Sequence, residues 1–138
     1  MKTTLIVTVG LPRSGKTTYC NQVLKPKGFV IVNPDSFRFA IHGQTFVPSA
    51  EPFVWAAVYA AVDALRLAGH DVVVDGTHMT KKRRESWEQR GAEFHLMGTK
   101  KEVCLERAKL TGREDILPVI ERMAYECDWP AAIGEDVF

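Results

Sequence analysis

Short apolar runs alternate along the chain with longer segments of mixed polarity. Thr3-Thr4-Leu5-Ile6-Val7-Thr8-Val9 is apolar and β-branched, which predicts a buried strand. Phe29-Val30-Ile31-Val32 and Val72-Val73-Val74 predict two more, and the alternating Glu93-Phe94-His95-Leu96-Met97 a fourth. Helices are expected between them. One covers 17–24, before a turn at Lys25-Pro26-Lys27-Gly28; a brief one starts near Ser36. The segment 53–68 is apolar on most faces and predicts a largely buried helix, with Ser49 as its cap, Pro52 in its first turn and Gly69 at its end. Thr80 caps a helix over 81–90 that turns Trp87 inward and stops at Gly91. Thr99 and Glu102 form a capping box opening a helix to Leu110, and a last helix spans 115–127 before Trp129-Pro130. Residues 131–138 read as a tail or a docked edge. Alternating strands and helices predict a three-layer α/β fold with a parallel sheet of about four strands. The first strand is expected at its centre, beside the third.

At the end of the first strand stands Gly10-Leu11-Pro12-Arg13-Ser14-Gly15-Lys16-Thr17, the pattern G-x-x-x-x-G-K-[ST]. Its strand and helix flanks are the context in which such a loop binds phosphate. The glycines let successive N–H groups turn inward, and the next helix offers unpaired N–H groups and the positive end of its dipole. Lys16 is a mobile charge for the β- and γ-phosphates, and the Thr17 hydroxyl is a hard ligand suited to Mg²⁺. Thr18 completes the nucleotide-binding stretch. Asp75, at the end of the Val run, is either a metal-linked carboxylate or a strand-end cap, and its place opposite a phosphate loop favours the former. Ligands of an open parallel sheet lie beyond the carboxyl ends of its strands, which brings Asp35 and Arg38 to the same edge. Asp35 is the best-placed general base there, and Arg38 is suited to an acceptor phosphate. Arg107 and Arg113 lie on a helix–loop–helix suited to a lid over a triphosphate; the alternative is a plain surface hairpin. Lys81, Lys82, Arg83 and Arg84 open the 81–90 helix, where cations oppose the dipole, and read equally as a phosphate site or a solvated face.

Length and composition add limits. With 138 residues, 46% hydrophobic and 25% charged, the chain is expected to form one domain over 1–138. A net charge of +1 argues against a strongly basic nucleic-acid binder and a membrane-surface protein. Cys20, Cys104 and Cys127 form no C-x-x-C pair, so reduced thiols in a cytoplasmic protein are expected rather than a zinc site or disulfide framework. No apolar run reaches membrane-spanning length. No N-K-x-D motif occurs, which argues against a GTPase switch.

The chain resembles the phage-type 5′-hydroxyl polynucleotide kinases, within the adenylate-kinase-like branch of P-loop kinases. The resemblance rests on Val9 to Thr18, Asn33-Pro34-Asp35-Ser36-Phe37-Arg38, Asp75-Gly76-Thr77-His78, Arg83-Arg84 with Trp87, and Arg107 followed by Gly112-Arg113. It implies the P-loop NTPase fold with a helical lid, ATP and Mg²⁺ as cofactors, and a nucleic-acid or nucleotide 5′-hydroxyl as acceptor. It makes Asp35 the general base, Arg38 its acceptor-side partner, and Arg113 or Arg107 the lid arginine. Thr77, His78 and Arg83 complete the acceptor side, although many members have Asn where this chain has His78. The phosphatase domain often attached in phage enzymes has no room in 138 residues. Related kinases act on small-molecule hydroxyls, which remains the alternative activity. A non-catalytic nucleotide-binding module is disfavoured because it needs no base at Asp35.

Overall fold

The computed structural model describes residues 2–128 and the backbone of 135–136. The element order is β1 (Leu5–Val9), α1 (Lys16–Tyr19), β2 (Val30–Val32), α2 (Pro34–His42), α3 (Glu51–Leu67), β3 (Val72–Val74), α4 (Lys81–Gln89), β4 (Glu93–Leu96), α5 (Lys101–Leu110), α6 (Leu117–Glu126) and β5 (Glu135–Asp136). α1 continues through a wider π turn at Cys20–Leu24 into a short 3₁₀ turn at Lys25–Lys27. All strand pairs are parallel, in the order β2-β3-β1-β4-β5. The four main strands are those expected, with β1 central beside β3. The two-residue β5 pairs with β4 at His95↔Glu135 and Leu96↔Asp136. The rest of the expected tail lies outside the described residues.

β1 is buried along its whole length because both faces of the sheet are covered. Leu5, Val7 and Val9 join Val54, Val58 and Val62 of α3 and Trp87 of α4 on one face. Ile6 packs with Tyr19, Cys20, Leu24, Val73 and Met97 on the other. That alternation is the two-residue period of a strand read onto two helical layers. Trp87 is fully enclosed, as expected, against Tyr59 at 4.6 Å between ring centroids. His95 is buried and its Nδ1 lies 2.6 Å from the Tyr19 hydroxyl, a structural contact.

Three local expectations are corrected. α3 is buried on one stripe only; Phe53 is 70% exposed, because a helix lying on a sheet covers a single face. Ser49 does not cap α3: a 3₁₀ turn at Pro48–Ala50 leads into it and Ala50 occupies the cap position, with Pro52 in the first turn as expected. Thr99 does not close a capping box. α5 starts one residue later, after Lys100, and the Thr99 hydroxyl donates instead to the Ser14 carbonyl at 2.8 Å. Among the described residues, no helix is long and apolar enough to cross a membrane.

Candidate active site

The connections leave β1 and β3 toward opposite edges of the sheet, so the carboxyl ends of these neighbours form the switch point at which ligands bind. The phosphate loop stands there. Its backbone alternates in hand, with Arg13 at φ 68° and Gly15 at φ 103°, which turns successive N–H groups toward one concavity. A side chain at Gly10 would lie 2.6 Å from Ser14 Oγ and 2.9 Å from Met97 Cβ, so glycine is required by close approach. The Gly10 N–H donates to the Thr77 carbonyl at 3.0 Å, and the buried Thr8 hydroxyl donates toward Gly76 O at 2.8 Å. These two bonds hold the segment that follows β3 against the end of β1 and the start of the loop.

That clamp brings Asp75 to Thr17, whose hydroxyl donates to Asp75 Oδ2 at 2.8 Å. The Asn33 side-chain amide approaches the same oxygen at 3.5 Å. Burial raises the Asp75 pKa, opposed by the bond from Thr17 and the nearby positive charge of Lys16. Lys16 is also buried and donates to Leu11 O at 2.6 Å; desolvation pushes its ammonium down to about 8. The buried thiol of Cys20 is pushed up to about 12 by desolvation and stays protonated. The three cysteines are free of disulfides. Thr17 and Asp75 supply two hard oxygens, which fits Mg²⁺ completed by phosphate oxygens and water. Among the described residues, no cluster of three or more His, Cys, Asp or Glu could hold a metal unaided.

Asp35 and Arg38 sit at the start of α2. Asn33 caps that helix, its side-chain oxygen accepting from Asp35 N–H at 2.8 Å, and Pro34 occupies the first turn. Arg38 Nη1 donates to Asp35 at 2.7 Å, while its Nε and Nη2 fork onto Glu51 at 2.9 and 2.8 Å. The bonds from Arg38 hold the Glu51 pKa below the usual carboxylate range, and those to Glu51 raise that of Arg38. Three of the five guanidinium N–H groups are thereby engaged with protein, leaving two. Glu51 was not among the expected site residues. It follows Arg38 by thirteen positions across an irregular loop, and no local spacing rule links them.

Asp35 lines a cleft of about 670 Å³ together with Phe39, Gly43, Gln44, Thr45, Phe46 and Arg113. Arg113 forks onto Asp115 at 3.0 and 3.1 Å. Arg107 Nη1 donates to the Arg13 carbonyl at 3.1 Å. The two arginines therefore touch different parts of the edge: Arg113 faces the Asp35 cleft and Arg107 the phosphate loop. Pro12 and Arg13 are half-buried, and Thr17 and Thr18 are exposed.

The acceptor-side expectations fare less well. His78 does not present its ring to the cleft. Its backbone is left-handed at φ 43°, and its imidazole is buried edge-on to Trp55 and Trp87 with Nδ1 2.9 Å from the Thr8 carbonyl. Burial pushes its pKa down to about 4, so it is neutral. Arg84 is also withdrawn: it is buried and donates to the carbonyls of His78 and Asp128. Lys81, Lys82 and Arg83 remain exposed, and Arg83 stacks over Trp55 at 5.4 Å. Thr80 caps α4 as expected. Thr77 is half-buried, and its carbonyl is the partner of Gly10.

A family model described as an AAA domain matches residues 5–115. The chain belongs to this family. No curated protein matches. Among solved structures, a chain of the Pnkp1/Rnl/Hen1 RNA repair complex is similar at a TM-score of 0.71 and 20% identity, covering 94% of this chain and 49% of its own. The present chain thus spans about half the length of that relative. A gluconokinase from Sinorhizobium meliloti 1021 is similar at a TM-score of 0.69 and 18% identity, with 97% and 82% covered. The APS kinase CysC of Mycobacterium tuberculosis, solved with AMPPNP and APS, gives 0.69 and 16%, with 99% and 88% covered. This AAA-domain chain has the P-loop kinase fold.

Proposed function

We propose that the chain is an ATP-dependent kinase that transfers the γ-phosphate to the 5′-hydroxyl of a nucleic acid or nucleotide. The observation that carries this reading is the Asp35–Arg38–Glu51 constellation on the sheet edge that also bears the phosphate loop, with Asp35 lining a cleft there. A pure nucleotide binder has no use for an exposed carboxylate held by an arginine there. The similarity in fold to a chain of an RNA repair complex supports the choice of acceptor.

In this reading residues 10–18 hold the triphosphate through loop N–H groups, with Lys16 on the β- and γ-phosphates. Thr17 and Asp75 would hold Mg²⁺, which when bound would neutralise phosphate charge. Asp35 takes the proton of the acceptor hydroxyl as the new O–P bond forms. The bond from the γ-phosphorus to the bridging oxygen breaks, and its electron pair leaves with ADP. Arg38 aims Asp35 and keeps two donors for an acceptor phosphate. Arg113, with Arg107 beside the loop, stabilises charge on the transferring group.

A kinase of a small-molecule hydroxyl is the second reading, favoured by the near full-length similarity in fold to a gluconokinase and an APS kinase. Labelled phosphate transfer from ATP to a panel of 5′-hydroxyl oligonucleotides, nucleotides, sugars and alcohols separates the two. The 5′-hydroxyl ends should win. Asp35→Asn should keep ATP binding and lose transfer by about 10²- to 10⁴-fold. Far higher kcat/KM on an uncharged alcohol would give first place to the second reading. Normal turnover in Asp35→Asn would remove Asp35 as base.

A further inference from the structure

The wall of the cleft beyond Asp35 has no task in the mechanism above. It carries two large aromatic side chains left open to water, Phe39 at 73% and Phe46 at 56% exposed. Phe39 follows Asp35 by four residues, so the two share one face of α2. Phe46 comes from the loop after α2 and lines the same cleft. Phe53, Leu67, Leu110 and Tyr125 are as exposed but lie outside it. Scattered apolar side chains on a surface are ordinary, whereas two phenyl rings in one concavity beside a reactive carboxylate are a binding surface.

The chemistry of the wall selects what covers it. A sugar carries hydroxyls around its whole ring, more than the Gln44 amide and the Thr45 hydroxyl can pair beside two phenyl rings. A lipid chain would need a closed apolar slot, yet this cleft also carries Asp35, Gln44, Thr45 and Arg113. A nucleobase has a flat π-face for phenyl rings and a polar edge for the Gln44 amide and the Thr45 hydroxyl. We infer that Phe39 and Phe46 form a stacking platform for the terminal base of the acceptor, making a base-bearing 5′ end the preferred substrate. This rests on the 5′-hydroxyl kinase reading and deepens it. Stacking on phenylalanine accepts every base, so the platform tells a base from no base rather than one base from another.

The test compares two short oligonucleotides, alike except that one begins with an ordinary 5′-hydroxyl nucleoside and the other with an abasic 5′-hydroxyl deoxyribose. The wild-type chain should favour the base-bearing end by about tenfold or more in kcat/KM. In Phe39→Ala/Phe46→Ala that ratio should fall close to one, with the KM for ATP unchanged. Phe39→Tyr/Phe46→Tyr should restore it, since a phenol ring stacks as well. Both positions are exposed, so the variants should fold, with circular dichroism as the check. Equal use of both ends by the wild type, or a preference that survives the double alanine variant, overturns the platform while the kinase reading stands. Transfer to neither oligonucleotide, with a small alcohol phosphorylated instead, overturns the 5′-hydroxyl acceptor reading and the platform with it.

Discussion

Glu51 offers the sharpest quantitative test of how the acceptor side is built. It receives both tines of the Arg38 fork, at 2.9 and 2.8 Å, and the two side chains are 13% and 16% exposed. Fully exposed ion pairs contribute up to about 1 kcal/mol, and breaking a fully buried one costs about 3–5 kcal/mol. A pair this far out of water, with two charge-assisted bonds, should lie between. Glu51→Gln keeps the shape and one acceptor but removes the charge, and should cost about 2 kcal/mol, roughly 30-fold in the folded-to-unfolded ratio. Urea denaturation at neutral pH measures it. The sign of the pH dependence follows from the lowered pKa of Glu51. The folded carboxylate titrates below the ordinary value of 4.5, so its contribution is full above that value and lost as pH falls below it. The wild type should lose stability more steeply than the variant below pH 4.5. With Arg38 released, Asp35 loses its restraint, and kcat for phosphoryl transfer should drop about tenfold with the KM for ATP unchanged. A cost below about 0.5 kcal/mol, parallel acid limbs and unaltered kcat would together refute the reasoning.

Two further outcomes follow from the phosphate side. Lys16 loses its proton near pH 8 in the free fold against 10.5 unfolded, so folding stability should rise with pH between those values. For the same reason ATP affinity should fall as pH climbs through 8, with proton uptake on binding visible by calorimetry; Lys16→Met should abolish both effects, and their persistence would assign them elsewhere. Arg107→Ala, which frees the Arg13 carbonyl, should weaken ATP binding more than Arg113→Ala, which should act mainly on kcat; rapid-equilibrium binding beside steady-state kinetics distinguishes them, and the reverse pattern would exchange their roles.

The strands were legible because β-branched runs bounded by Gly, Pro and Asp have few other uses. The phosphate loop was legible because its glycines answer a local steric need, seen at Gly10 against Ser14 and Met97. Contacts across the fold were hidden. Thr99 has the spacing of a capping box, yet its hydroxyl goes to Ser14, 85 residues away. His78 stands in a motif that points toward the acceptor, but one positive φ turns its ring into the gap between two tryptophans. Composition marked α3 as apolar without saying that only one stripe meets the sheet. In each case a distant partner chose among options that local pattern left equal.

The position of β1 also orders events as the chain leaves the ribosome. β1 emerges before its neighbours, yet its register partner for Leu5 is Val72 and for Ile6 also Glu93. At about 5–20 residues per second, the segment between β1 and β3 takes roughly 3–13 s to synthesise. Over that interval an apolar run of β-branched residues has no ladder to join. The loop behind it is equally incomplete, because the Gly10 N–H cannot meet its acceptor before Thr77 is made. Nucleotide is therefore expected to meet the clamped loop only once Thr77 is made and the sheet has closed around its first strand.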